Sequence, residues 1–257
     1  MIRGLYTAAS GMLKGQKKLD VVTNNLANSS TTGYKRDIAV YQSFHEVLTK
    51  RINDDKAGQL PNPNIGSMSL GSDVVQVYTD FTQGRLIKTD KATDMSFKNS
   101  DSSFFAVSVP GEEGDTEMYT RNGSWTISED GYLITREGYK AVGLYGPIYL
   151  ASDEFVVQED GSIYLDDEYI DTLKIVDFVD TEQLQKYGEH LVGAPDDAQI
   201  GQFEGQVAQG FIEGSNINTI EEMLEVITLM RSYEANQKVI KAYDESLGKI
   251  INEAGRI

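Results

Sequence analysis

The sequence predicts an α+β protein, with long N- and C-terminal helices packed as a coiled coil and a central antiparallel β-rich domain. Three observations support this fold: an apolar heptad repeat near each end, a two-residue alternation between them, and frequent turn signals within the alternating part. The expected segments are an N-terminal helix with an Asn/Gly turn (1–36), a short helix with a Gly/Pro/Asn-rich loop (37–73), a β-rich middle domain (74–215) and a C-terminal helix (216–257).

The N-terminal helix is predicted by its apolar spacing. A seven-residue repeat joins Leu5, Met12, Leu19 and Leu26, and a second row three positions later contains Ala8, Gly15 and Val22. This is the a/d pattern of a helix that packs against another helix. We expect the helix to end in segment 27–33, because Asn, Ser and Thr side chains compete for backbone hydrogen bonds and a glycine there can adopt positive φ.

Small residues form a strip on this predicted helix, and the strip consists of Ala8, Gly11 and Gly15. A glycine inside a helix costs about 1 kcal/mol relative to alanine. Glycine would cost little at a frayed N-terminus, which is one explanation. The other is the close approach of a second helix backbone, and the uninterrupted heptad phase favours it.

The next segment changes character twice. A short second helix is predicted from the spacing of Tyr41, Phe44, Val47 and Leu48. From 53 to 71 the chain is rich in Gly, Pro, Asn, Asp and Ser, which predicts a long loop or hinge.

From Val74 to about Ile212 the apolar period becomes two, which predicts strands. The clearest candidates are 75–78, 105–109, 125–127 and 174–178. Turn signals separate them at Gly123, Asp130-Gly131, Gly138 and Asp160-Gly161. Short strands at this spacing indicate an antiparallel sandwich or barrel-like domain.

The C-terminal helix begins with a capping box formed by Thr219 and Glu222. A seven-residue repeat then joins Val226, Tyr233, Ile240, Leu247 and Ala254. A second row three positions later contains Leu229, Tyr243 and Ile250, with Asn236 as a polar interruption. Each end of the chain thus has an apolar seam that needs a partner, and we expect the two seams to pack on each other.

Composition excludes several classes of protein. The net charge of −17 argues against binding to nucleic acid, which requires lysines and arginines that neutralise phosphates. The absence of cysteine excludes disulfides, thiol catalysis and thiolate metal sites. No apolar run is long enough for membrane insertion. We expect no cleaved signal peptide, because the first apolar run is weak and the heptad repeat continues through any cleavage point.

No residue pattern indicates catalysis. His45 and His190 lack metal-ligand spacing, and the two Glu-Asp-Gly turns lack the alternating ligands of a calcium loop. The densest acidic cluster is Asp166-Asp167-Glu168, but neighbouring residues on a strand point to opposite faces. We therefore predict that the protein is not an enzyme and has no catalytic, cofactor-binding or metal-binding residues.

Ordered motifs extend over nearly the whole chain. The N-terminal ones are Ser10-Gly11-Met12, Asn24-Asn25-Leu26-Ala27-Asn28 and Thr32-Gly33-Tyr34-Lys35. The middle contains Phe81-Thr82-Gln83-Gly84, Phe104-Phe105-Ala106-Val107 and Tyr119-Thr120-Arg121-Asn122-Gly123. The C-terminal part contains Gln209-Gly210-Phe211-Ile212-Glu213-Gly214-Ser215-Asn216, Glu221-Glu222-Met223 and Arg231-Ser232-Tyr233-Glu234-Ala235-Asn236. Together they closely resemble the signature of bacterial flagellar basal-body rod and hook proteins, from which Ser102-Ser103 departs by lacking a glycine-containing turn.

The resemblance implies a structural protein of the flagellar basal body, exported through the flagellar type III apparatus without a cleaved signal. Members of that family polymerise into a helical tube in which the terminal helices surround the export channel and the β-rich part faces outward. The implied partners are further copies of the chain, other rod and hook proteins and the export apparatus. The modest length favours a rod protein over a hook-type axial protein, which remains an alternative.

From the resemblance we form a hypothesis about assembly residues. The assembly seam is expected to contain Leu5, Met12, Leu19, Leu26, Val226, Tyr233, Ile240 and Leu247. Polar contacts at its end are expected from Asn24, Asn25 and Asn28. Two other classes remain as alternatives. A secreted β-domain that binds or hydrolyses glycans would not need the terminal helices, and a soluble coiled-coil adaptor would form a discrete oligomer.

Overall fold

The computed structural model describes residues 2–50, 64–111, 114–188, 190–195 and 197–254. Part of the predicted loop, residues 53–63, and the side chain of Ala254 lie outside the described residues. The chain divides into two compact units. Unit 1 contains Met1–Leu26, Asp37–Tyr78 and Thr219–Ile257, and unit 2 contains Ala27–Arg36 and Thr79–Asn218.

Both terminal segments are helical, as the heptad repeats predict. The first helix, α1, is Ile2–Ala27, and the last, α2, is Thr219–Ala254. Their lengths of 26 and 36 residues correspond to about 39 and 54 Å. The first turn of α2 carries Glu221 and Glu222, whose charges are favourable at a helix N-terminus.

Four strands lie wholly or mainly in unit 1: β1 (Arg36–Ser43), β2 (Val47–Lys50), β3 (Asn64–Met68) and β4 (Ser72–Asp80). β1 pairs with β4, and β2 pairs with β3 in an antiparallel ribbon. The predicted short helix within 37–73 is therefore wrong. Ile38, Val40 and Tyr41 are β-branched or aromatic, and β4 supplies β1 with the backbone partners that a local helical spacing cannot reveal.

Unit 2 is built from short strands, as the alternating pattern predicts. The strands of its first half are β5 (Leu86–Lys88), β6 (Met95–Lys98), β7 (Ser103–Gly111), β8 (Gly114–Thr120), β9 (Thr126–Ile127), β10 (Leu133–Ile134), β11 (Lys140–Ala141) and β12 (Phe155–Val157). Those of its second half are β13 (Ser162–Leu165), β14 (Glu168–Thr172), β15 (Ile175–Phe178), β16 (Gln185–Tyr187), β17 (Leu191–Gly193), β18 (Ile200–Gly201), β19 (Gln206–Gln209) and β20 (Phe211–Glu213).

The largest sheet is organised around β7. Its order is β16-β17-β8-β7-β11-β10-β9, and β15 adds a branch by pairing with β7 and β18. β12, β13 and β14 form a separate three-stranded sheet, while β19 pairs with β6 and β20 with β5. The pairings of β7 with β8, β11 and β15, of β19 with β6 and of β20 with β5 are antiparallel, which confirms the predicted antiparallel β-rich body.

An aromatic core holds unit 2 together. The Phe97 and Phe105 rings stack with centroids 4.1 Å apart, and Trp125 meets Phe105 edge-on at 5.7 Å. All three side chains are almost fully buried. Large aromatic side chains contribute strongly to folding because each removes much apolar surface from water.

Three of the four predicted glycine turns are present, and Gly123, the fourth, is not in a turn. Gly131, Gly138 and Gly161 all have positive φ, and each donates its N–H to the carbonyl three residues earlier. Asp166 and Asp167 also have positive φ, so they form the two-residue turn that joins β13 to β14. The acidic cluster is therefore a hairpin turn, which differs from the strand position considered above.

Candidate assembly site

The two helices of unit 1 run antiparallel and touch at three levels. A Cβ placed on Gly4 would overlap the Tyr243 side chain, and one placed on Gly11 would lie 3.0 Å from Asn236 Nδ2. Further along α1, Lys18 pairs with Glu225. The glycines thus leave room for a tyrosine and an asparagine, whose side chains lie against the α1 backbone.

The predicted assembly-seam residues lie mainly at half-buried positions. These are Leu5, Met12, Leu19 and Leu26 on α1, and Val226, Ile240 and Leu247 on α2. Tyr233 differs, because 39% of its surface is exposed. A seam that remains half-buried in one subunit has apolar surface left for another contact.

The predicted close-packing strip divides into two parts. Ala8 is buried and Gly11 faces Asn236, whereas a Cβ on Gly15 would meet no atom within 4 Å. Gly4, which was not included in the strip, makes the tighter approach to α2. The close packing within unit 1 is therefore located toward the α1 N-terminus.

The asparagines at the end of α1 have different surroundings. Asn25 is buried, donates through Nδ2 to the Asp37 carbonyl at 2.8 Å and accepts from the Asp37 N–H at 3.0 Å. Asn28 Oδ1 accepts a hydrogen bond from Thr31 Oγ1 at 3.2 Å, while Asn24 is exposed. Asn25 thus attaches the end of α1 to the start of β1 inside the subunit.

Lys18 joins three elements of unit 1. Its ammonium pairs with Glu225 on α2 and lies 5.5 Å from the centre of the Tyr41 ring on β1. Burial alone would lower the pKa of Lys18, but the Glu225 carboxylate and Tyr41 outweigh it and raise the pKa above its ordinary value. The lysine therefore remains charged at neutral pH.

A second apolar face of α2 is exposed, and we call it the α2 stripe. It consists of Ile220, Met223, Leu224, Ile227 and Met230. These residues follow the i, i+3, i+4, i+7 spacing of one helix face, and each is about half exposed or more. Since the α1-facing side carries Asn236 and Tyr243, α2 has two distinct faces to cover.

Unit 2 contains a buried cluster of charged residues, which we call the charge cluster: Lys35, Arg121 and Glu213. Lys35 Nζ donates to Glu213 Oε1 at 2.6 Å and to the Thr82 carbonyl at 2.7 Å. Glu213 Oε1 also accepts from the Gly84 N–H at 2.7 Å. Arg121 Nε faces Glu213 Oε2 at 3.5 Å, an ion-pair distance without hydrogen-bond geometry.

Two cations share one carboxylate in this cluster, and all three side chains are at most 3% exposed. Burial, and then repulsion by Arg121, lowers the pKa of Lys35 to about 8. Burial likewise lowers the pKa of Arg121, although Glu213 opposes the change. Arg121 completes its contacts by donating to the carbonyls of Ser103 and Ser100.

Sequence reasoning missed the charge cluster, although its residues lay in quoted motifs. Lys35 follows the N-terminal Thr-Gly-Tyr motif, Arg121 stands in the Thr-Arg-Asn-Gly motif and Glu213 in the Phe-Ile-Glu-Gly motif. Only Glu213 carried a local signal, because it stands between Ile212 and Gly214, whereas Lys35 precedes another charged residue and Arg121 lies between polar ones. Nothing in the spacing showed that the three side chains meet.

Comparisons with known proteins identify the family. Three family models match: "Flagella basal body rod protein" over 5–35, "Flagellar hook protein FlgE/F/G D1 domain" over 101–165 and "Flagellar basal body rod FlgEFG protein C-terminal" over 208–253. The flagellar hook-basal body complex protein FlhO of Bacillus subtilis is 31% identical, with all of both chains covered. The chain belongs to the flagellar basal-body rod protein family.

Relatives called FlgG agree with this. The basal-body rod protein FlgG of Agrobacterium fabrum is 31% identical over 95% of this chain and 96% of its own. That of Buchnera aphidicola from Acyrthosiphon pisum is 30% identical, covering 97% of this chain and 99% of its own. The protein is thus a structural rod subunit of the flagellar basal body, and a glycan-acting β-domain is not favoured.

The family regions coincide with the geometry of this rod subunit. The N-terminal region covers most of α1 and Lys35, the middle region covers Arg121, and the C-terminal region covers Glu213 and nearly all of α2. Each matched region therefore contributes one member of the charge cluster. In the described part of the chain, no group of His, Cys, Asp or Glu could hold a metal, and no helix is long and apolar enough to cross a membrane.

Proposed function

We propose that this rod subunit polymerises through its terminal helices into a hollow helical shaft, which transmits torque and encloses the export channel. The observation that carries the proposal is the exposed α2 stripe. A 36-residue helix with a 26-residue partner on one side and an apolar stripe on another is incompletely packed as a single chain. Exposed contiguous apolar surface of this kind is typical of an interface.

The half-buried seam supports the same proposal. Leu26 and Ile240 are each only half-buried, so part of their apolar surface stays accessible. We propose that subunit packing completes this seam as a coiled coil, with Gly15 and the exposed Asn24 in contact with neighbouring subunits. A small residue with open space beside it allows another backbone to approach closely.

Membership of the rod family supports assembly with other flagellar rod and hook proteins. We further propose that the chain assembles with copies of itself and is delivered by the flagellar type III export apparatus with α1 retained. The contacts of Gly4 and Gly11 with α2 favour retention, because removal of α1 would expose the α2 face that these glycines cover.

The decisive experiment compares matched substitutions. Ile240→Asp and Leu26→Asp place a carboxylate in the seam, so we expect neither variant to form rods or to support motility, because an unpaired charge is costly to bury. Ile200→Asp and Leu144→Asp are the controls, since both residues are exposed in unit 2. The controls should assemble and swim.

Electron microscopy of purified chains tests polymerisation directly. Full-length protein should form tubular polymers, whereas chains without α1 or α2 should not. Fluorescence of Trp125 in the unit 2 core reports whether each variant keeps its β body folded. Motile cells carrying folded Ile240→Asp protein would contradict the proposal.

A further inference from the structure

An apolar groove on unit 1 lies at the N-terminal end of α1. It has a volume of about 570 Å³ and is lined chiefly by Tyr6, Phe44, Val47, Leu70 and Val75. The rings of Tyr6 and Phe44 lie 6.4 Å apart, and Tyr6, Val47 and Val75 are each more than half exposed. Arg3 stands beside these residues and is also exposed. Asp73 also lines the groove, and its carboxylate pairs with Lys17 at 2.9 Å. The groove therefore offers an apolar surface with an exposed arginine beside it.

The α2 stripe has the complementary composition. Its apolar residues are followed one turn later by Glu234, which is exposed and continues the same helix face. An amphipathic helix that lays i, i+3, i+4, i+7 residues into an apolar groove is a recurring mode of protein recognition. The carboxylate of Glu234 would meet Arg3 if the stripe lay antiparallel to α1.

The stripe cannot reach the groove of its own chain. Within one subunit Gly11 of α1 faces Asn236 of α2. Because the two helices are antiparallel, an α1 residue and an α2 residue at the same height along the helix axis have numbers that sum to about 247. Glu234 then lies near the level of residue 13, ten residues from Arg3 along α1. At 1.5 Å per residue the separation is about 15 Å.

We infer that the α2 stripe of a second copy of this chain docks in the groove of the first. The inference rests on the proposed polymerisation and names the surfaces that produce it. With Glu234 beside Arg3, Met230 lies at the level of Tyr6, and Ile220 lies near Lys17. Neighbouring copies keep the same polarity and are displaced by about 15 Å along the helix axis.

This contact joins two different surfaces, so it is heterologous. In a docked pair, one copy retains an unused stripe and the other an unused groove, because the displacement prevents two copies from satisfying each other. Such contacts propagate and form an open chain of subunits. The same geometry that leaves the stripe uncovered in one subunit therefore gives the polymer its axial direction.

Cysteine cross-linking tests the contact, because the natural chain contains no cysteine. Tyr6→Cys and Met230→Cys alter two exposed positions that the docking places opposite each other. After mild oxidation, we expect the double variant to form a ladder of dimers, trimers and longer species, and a mixture of the two single variants to stop at dimers. Met230→Cys paired with Tyr145→Cys is the control, since Tyr145 is highly exposed in unit 2.

Reversal of charge provides a second readout. Arg3→Glu or Glu234→Arg alone should reduce the cross-linked yield by about fivefold, and the combined variant should recover it. An intramolecular disulfide, a ladder that ends at dimers, or cross-linking no stronger than in the control would overturn the docking. If wild-type chains still form tubes in that case, the proposed function stands without this contact. If they form neither tubes nor cross-links, both proposals fail.

Discussion

Removal of the negative charge from Glu213 should strongly destabilise unit 2. Glu213→Gln keeps the size of the side chain but removes the buried carboxylate that Lys35 and Arg121 share. Removing one partner of a buried ion pair costs about 3–5 kcal/mol, because the remaining charge stays desolvated. For a unit of this size, a loss of that order lowers the melting temperature by roughly 6–20 °C.

Lys35→Met is the informative comparison, and its cost should be smaller, about 1–2 kcal/mol. Methionine replaces the apolar stem of the lysine, while Glu213 keeps the Gly84 N–H and the Arg121 guanidinium. The Thr82 carbonyl still accepts a hydrogen bond from Asn216 Nδ2 at 3.2 Å. Each contact partner of Lys35 therefore retains another favourable contact.

The double variant sharpens the prediction. Adding Lys35→Met to Glu213→Gln should raise the free energy of unfolding by about 1 kcal/mol or more, because it removes one of the two buried cations that lost their shared carboxylate. The assay is urea unfolding followed by fluorescence of Trp125, the single tryptophan, which lies in the unit 2 core. The reasoning is refuted if Glu213→Gln lies within 1 kcal/mol of wild type, or if Lys35→Met lowers the stability of Glu213→Gln further.

Three further predictions follow from local geometry. Lys35 has a pKa of about 8 in the folded protein and 10.5 in the unfolded chain, so the unfolded state binds more protons between these pH values. The free energy of unfolding of wild type, measured in urea, should therefore rise by about 2 kcal/mol relative to that of Lys35→Met between pH 7.5 and 10. Gly33→Ala should lower the free energy of unfolding by about 3 kcal/mol, because φ is +70° and the new methyl would lie 2.6 Å from the Asn122 backbone. Gly188→Ala, at φ +65° in open space, should lower it by only about 1 kcal/mol, and melting experiments compare the two. Asn25→Ala should speed amide exchange at Asp37 by about 30-fold or more through the loss of two hydrogen bonds, and unchanged protection would contradict it.

The elements that the sequence predicted well depend on neighbours close in the chain. The heptad repeats of α1 and α2 have a period of about 3.5 residues, close to the 3.6 residues per turn of an α-helix. Gly131 and Gly161 occupy positive φ in turns that close over a few residues. The family resemblance also followed from the sequence, because its motifs are short contiguous segments.

The wrong prediction within 37–73 shows where local information stops. Tyr41, Phe44 and Val47 have helical spacing, yet Tyr41 lies in β1 and Val47 in β2. β1 pairs with β4, whose residues come some thirty positions later. A strand receives its hydrogen bonds from another segment, so its identity is settled only when that segment arrives.

By itself, the sequence determined two terminal helices, a body of short antiparallel strands and membership of the rod family. The tertiary structure alone decided that Lys35 and Glu213, which are 178 residues apart, share a buried ion pair, and that the α2 stripe is exposed. The physical reason is that burial and pairing are properties of the assembled chain. A charge or an apolar residue has the same letter in a solvated face, a buried cluster and an interface, and only its neighbours in space distinguish them.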